Sequence, residues 1–160
     1  MRIFFGFLLG ALLTSAAVAH HNQSEHEHHM AQIKKQGAEA MGFDQDKTTH
    51  HFRLYEDGGA VEVQANDAAD SVSTEHIRAH LQAKFAAGDF SAPHHTHSQL
   101  PPGAAMMKKL RSRIRYGYQP LDHGGRLRII TRDPLALTAV HDFLLFQIED
   151  HATGDPKSVE

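Results

Sequence analysis

The chain has no cysteine and no tryptophan among its 160 residues. Without cysteine, disulfides, thiolate zinc sites, iron–sulfur clusters, cysteine nucleophiles and covalent haem attachment are all excluded. An excess of one charge is missing too. Lys and Arg number 16 against 19 Asp and Glu, a net −3 with histidine neutral, so a nucleic-acid partner has no global electrostatic support. Long apolar runs are scarce: the stretch from Ile3 to Leu13 is too short for a membrane span, which takes about 20 residues, and nothing later approaches that length. There is no Gly-rich phosphate loop, no G-x-S-x-G elbow and no H-E-x-x-H. An enzyme is therefore not the expected reading.

Histidine is what the chain has in quantity, 15 in all. Their placement matters. Arg2, the apolar run and Ala17-Val18-Ala19 form the n-region, h-region and A-x-A site of a signal peptide, residues 1–19. Every histidine lies beyond that cut, beginning with HHNQSEHEHH. A periplasmic or secreted protein with no membrane anchor after cleavage is expected. Residues 20–40 are polar and have no apolar face to bury, which suits a mobile His-rich arm with a helical stretch around Ala31 to Glu39.

A single ordered domain is expected over 41–155, with a short tail at 156–160. It carries an approximate internal repeat. His50 to Asp67 and Ile114 to Asp133 each hold a strand pattern, a Gly-Gly turn and a second strand, and an Asp then opens a helix. Phe52 and Leu54 alternate with His51, Arg53 and Tyr55; Leu127 and Ile129 alternate with Arg126 and Arg128. Asp57-Gly58-Gly59 and His123-Gly124-Gly125 supply the positive φ that hairpin turns demand. Asp133-Pro134 reads as an N-cap with Pro at the first helical position. A short helix from Ala104 to about Arg111 separates the copies. The expected class is α+β: one antiparallel sheet from two ββα repeats, helices packed on one face.

Neutral imidazole is the commonest metal ligand, so the histidines set the functional expectation. His76 and His80 stand i, i+4 on one helix face, a spacing at which two imidazoles can share an ion. His50 has the parity of Phe52 and Leu54, toward the helices, where it can meet His80 or His76; His51 points to the other face. His97 lies in the PHHTH loop with His94 and His95, and Met107 follows, a thioether that favours Cu(I). In the arm, His20, His21, His26, His28 and His29 are capture ligands. Each has a structural alternative: a solvated helix edge for His76 and His80, a hydrogen-bonded strand end for His50, core filling for Met107. His141, aligned with His76 in the repeat, is expected to be a buried, hydrogen-bonded residue. Arg111, Arg113, Arg115, Arg126, Arg128 and Arg132 read as a solvated sheet face, with an anionic ligand as the lesser option. Phe143 and Phe146 make the last helix apolar on a second side, which suits either full burial or a homodimer.

At MGFDQDKTTHHF, GG, AAGDF, PPG and VHDFLLFQIEDHATGDP the chain resembles a family of small exported bacterial proteins, over about Met41 to Pro156. Some members carry the label aspartate carbamoyltransferase. The residues do not fit that activity: the chain is too short for its two-domain catalytic chain, has no S-T-R-T carbamoyl-phosphate loop, and lacks the four zinc-binding cysteines of its regulatory chain. The resemblance implies the extent of a domain and no activity.

Two functions are thus expected, in order. The first is a protein that binds or buffers copper or zinc. The second is a dimeric, non-enzymatic domain that recognises a small ligand or a protein, its histidines structural. Haem held by His and Met is a more distant third.

Overall fold

The computed structural model describes residues 27, 28, 30–32, 35, 42–87 and 100–160, the side chains of 84–87 excepted. Contacts divide the chain into two units, Met1–Gln32 and Ile33–Glu160. In the first, Glu27, His28, Met30, Ala31 and Gln32 are helical and His28 is exposed.

The second unit contains β1 (Thr48–Tyr55), β2 (Gly58–Ala65), α1 (Ser71–Ala87), α2 (Ala104–Lys109), β3 (Ile114–Leu121), β4 (Gly124–Thr131) and α3 (Pro134–Asp150). The four strands form one antiparallel sheet in the order β1-β2-β4-β3. The α+β class and the two hairpin repeats are as expected. No described helix is long and apolar enough to cross a membrane.

Alternation decides which face is covered. The row Phe52, Val61, Leu127, Tyr118 runs across all four strands in register, and Leu54, Gly59, Ile129, Tyr116 form the next row on that face. These side chains meet Ile77 and Leu81 of α1 and Val140, Phe143 and Leu144 of α3 in one core. Full burial of each Leu, Ile or Phe is worth about 1.5–3 kcal/mol against leaving it in water. The opposite face, turned away from α1 and α3, carries His51, Arg53, Glu62, Arg126 and Arg128. α3 is apolar on two sides because α2 packs along one and the sheet along the other. Phe143, 2% exposed, is thereby committed to the core, and of the two phenylalanines only the half-buried Phe146 keeps surface for a partner.

Local signals place the ends. Asp133 Oδ1 accepts from Leu135 N and Ala136 N, both at 3.0 Å, which caps α3. Asp70 caps α1 in the same way through Ser73 N at 2.9 Å. Of the four turn glycines expected to take positive φ only Gly58 does, at 139°, and a Cβ there would collide with the Ile129 carbonyl; Gly124 is needed instead because the Val63 carbonyl comes too close for a Cβ. Gly59 lets the Leu144 side chain approach the hairpin directly. α2 stops at Lys109, two residues short of expectation, and a 3-10 turn over Arg111–Arg113 leads into β3.

The two halves match element for element in length, so that Thr48 corresponds to Ile114, Gly58 to Gly124 and Ser71 to Pro134. A pseudo-twofold axis between β2 and β4 relates them, since Gly58 pairs with Ile130 and Gln64 pairs with Gly124. Each long helix reaches across to the other half's turn. Arg78 of α1 donates from Nε to Gly124 O at 3.1 Å, and from Nη2 to Leu121 O at 2.7 Å and Asp122 O at 3.0 Å. On α3, His141 Nε2 lies 3.0 Å from both Tyr55 O and Gly58 O, the matching carbonyls of the first turn. Carbonyls only accept, so Nε2 carries the proton and His141 is a clamp. Its counterpart is Arg78, not His76 as the repeat suggested. The connection into α1, 66–70, is longer than that into α3, 132–133, and this shifts the helical register.

Past α3 the chain turns back along β1. Ala152 and Gly154 take positive φ, 50° and 73°. Asp155 then docks, and Glu160 N donates to Leu54 O at 2.9 Å. The segment 156–160, expected as a tail, is laid against the edge of the sheet.

Candidate functional site

The strand parity of His50 brings it to the covered side of the sheet, at the end where Gly42-Phe43 enters and α3 leaves. Its ring stacks on Phe43 with centroids 6.2 Å apart and planes 24° apart, and on Phe52 at 6.5 Å and 21°. His151, the C-cap of α3, lies 5.8 Å from the His50 ring and 5.5 Å from Phe52. His80 of α1 meets Phe43 edge-on at 5.9 Å. Three imidazoles from β1, α1 and the end of α3 thus converge on two phenylalanines.

The electrostatics of His50 follow from that packing. Burial pushes its pKa down, the neighbouring His151, His51 and His80 push the same way, and together they bring it to about 3. At neutral pH His50 is an uncharged imidazole with a lone pair to offer. Gln147, one turn before His151 on the same helix face, is 4% exposed, and its Nε2 has no hydrogen-bond partner among the described residues.

His51 does different work. Its Nδ1 lies 2.8 Å from Asp155 Oδ1, while Asp155 Oδ2 accepts from Phe52 N at 2.9 Å and from Thr153 Oγ1 at 2.7 Å. Burial alone would raise the Asp155 carboxyl; the Phe52, Thr153 and His51 donors outweigh it and hold the pKa below the ordinary value. The ionised carboxylate fixes Nδ1 as the protonated nitrogen of His51 and ties the returning chain to β1.

Of the expected ligands, the fold therefore joins His50 and His80 and adds His151. His76 is exposed on α1 and makes no described contact with the cluster. His51 faces the opposite side. Met107, 4% exposed, is packed in the core with α3. His20, His21, His26, His29 and His97 lie outside the described residues. Spacing along its own helix does not single out His151, since His141 stands ten residues away, and the imidazole it meets is on β1. Its place just before the Gly154 helix stop, level with a strand-end histidine, was the available signal.

Among the described residues no three His, Asp or Glu stand ready-arranged around one ion. No family model, curated protein or solved structure matches the chain.

Proposed function

We propose that the chain is an exported metal-handling protein that binds a copper or zinc ion through His50, His80 and His151, with the histidines of 20–29 as outlying capture ligands. The observation that carries this reading is the contrast between halves at equivalent positions. His50 corresponds to Tyr116 and His80 to Phe143; Phe143 belongs to the buried core and the half-buried Tyr116 packs against it. The frame asks for rings there; it does not ask for imidazoles.

Two further points support it. An uncharged His50 does not have to lose a proton before ligating, so binding there carries little pH penalty. Two imidazoles on one ion, with metal–nitrogen distances of about 2.0–2.1 Å, place their ring centroids roughly 5–6 Å apart, and His50 and His151 stand at 5.8 Å. Rotation of the rings about their side-chain torsions is the adjustment that closing on an ion requires.

The test is a copper and a zinc titration of a chain whose histidines at 20, 21, 26, 28 and 29 are replaced by asparagine. One ion per chain, lost in His50→Ala and in His151→Ala but kept in His76→Ala, is the expected result. Absence of stoichiometric binding overturns the folded site. The hydrogen bonds of His141 Nε2 and His51 Nδ1 support a structural role for those two.

A further inference from the structure

The face of the sheet opposite α1 and α3 holds a second feature that the imidazole cluster does not use. The β1–β2 turn (Tyr55, Glu56, Asp57), Gln119 of β3 and the returning Glu160 wall a concavity of about 490 Å³ around Arg126 and Arg128. That volume suits a small molecule.

Both guanidiniums are held in place. Arg126 donates from Nε to Glu62 Oε1 at 2.8 Å and reaches Gln119 Oε1 from Nη1 at 3.4 Å. Glu62 is itself only 6% exposed, so this partner is fixed by the sheet. Arg128 lies over the Tyr55 ring, 4.2 Å from its centroid, with Nη2 on Asp57 Oδ1 at 2.7 Å and Nη1 on Gly59 O at 3.3 Å. As alternate residues of β4 on one face, the two side chains stand about 6.8 Å apart along the strand, close enough to bracket one anionic group. Arg126 Nη2 and Arg128 Nε keep donors that none of these bonds uses.

Neither arginine is demanded by the frame. The equivalent positions in the first half are Ala60 and Glu62. Gly117, which pairs with Arg128, leaves the floor open, as a Cβ there would touch nothing nearer than Arg128 Cβ at 3.9 Å. The walls bear the opposite charge. Glu56 has no partner among the described residues, and Glu160 is shared only with Arg53 at 3.5 Å. A simple anion would be drawn to the floor and repelled by the walls.

We infer that this concavity binds a small zwitterion of the amino-acid class, its carboxylate on the free donors of Arg126 and Arg128 and its ammonium toward Glu56 and Glu160. The guanidinium fork matches a carboxylate in shape and charge, and preorganisation by Glu62 and Tyr55 lowers the ordering cost of binding. Glu56 is exposed and sets the amine end without supporting the sheet.

Calorimetric titration of the full chain with a panel of free amino acids, and with acetate and methylamine separately, tests the inference. The expected result is one site for at least one amino acid, bound ten times or more tighter than either fragment. Arg128→Gln should weaken it tenfold or more, and Glu56→Gln should weaken it severalfold while leaving the thermal midpoint unchanged. Acetate binding as tightly as the amino acids would overturn the zwitterion assignment. No binding by any member of the panel would overturn the site, and an unchanged affinity in Glu56→Gln would remove the role of the walls.

Discussion

His50 on β1 and His80 on α1 occupy positions that Tyr116 on β3 and Phe143 on α3 occupy in the other half. On the opposite face of the sheet the contrast reverses, with Arg126 and Arg128 on β4 where β2 has Ala60 and Glu62. The backbone frame, the Gly-Gly turns and the Asp caps are common to both halves, so they explain none of these four differences. A duplicated fold thereby serves as an internal control. Whatever both halves share is required for folding, and what only one half has is free to do something else. The imidazoles and guanidiniums of these four positions are thus placed asymmetrically on a pseudo-symmetric support.

The comparison breaks most sharply if the first half is given the rings of the second. His50→Tyr with His80→Phe should retain the fold and lose metal affinity by at least a hundredfold, about 2.8 kcal/mol. Far-ultraviolet circular dichroism and a zinc or copper titration read the two outcomes together. Collapse of the fold would show that the imidazoles are structural after all.

The crossing clamps come next. Arg78 makes three charge-assisted bonds to the second turn and His141 holds two carbonyls of the first. Arg78→Ala should cost about 2–3 kcal/mol and His141→Ala about 1–2 kcal/mol in denaturant unfolding. Equal costs would mean that the two turns do not depend differently on their clamps.

The His50 position should also answer to pH where its counterpart Tyr116 does not. Folded His50 titrates at about 3, whereas an unfolded histidine titrates near 6.5, so the unfolded chain binds the extra proton between those values. Stability of the metal-free protein must fall as pH drops from about 6.5 toward 3, by at most about 1.4 kcal/mol per unit. Asp155 acts in the same sense lower down. Its contribution is present above the ordinary carboxylate value and lost as pH falls through the depressed folded one. His50→Tyr should flatten the slope between pH 6.5 and 4.5. An unchanged slope would assign it to other groups.

The smallest effect belongs to His76. It shares a helix face with His80 in sequence but is exposed, so His76→Ala should alter stability by less than about 0.5 kcal/mol and metal affinity not at all.

Much of this frame could be read from residue order alone. The alternation at Phe52 and Leu54, the paired glycines and Asp133-Pro134 are local signals, and local physics delivers the hairpins and the start of α3. Local signals stop where the chain must choose distant partners. That β2 pairs with β4, and that each helix therefore reaches the opposite turn, depends on how two hairpins dock, which no periodicity records. The same holds for the site. His50 announced its direction through strand parity, and His80 its face through helical spacing. His151 had only its place before Gly154 to announce it and Asp155 had no pattern at all, because the turn after α3 depends on positive φ at Ala152 and Gly154. Arg126 and Arg128 were legible as outward residues, but the walls that make them a concavity come from a turn, a neighbouring strand and the returning chain.

That returning chain has one more consequence. An edge strand exposes a row of unsatisfied amides and carbonyls, which is a template for pairing with another copy and for aggregation. On β1, the Asp155 carboxylate occupies the Phe52 amide and the Glu160 amide occupies the Leu54 carbonyl. On β3, at the opposite edge, Pro120 can donate no hydrogen bond and the exposed Arg115 adds charge. The molecule thus guards its two sheet edges by different means, one by composition and one by a strap that can come loose. Acidification that protonates Asp155 would loosen the strap, and the first copies to stick together should do so through β1.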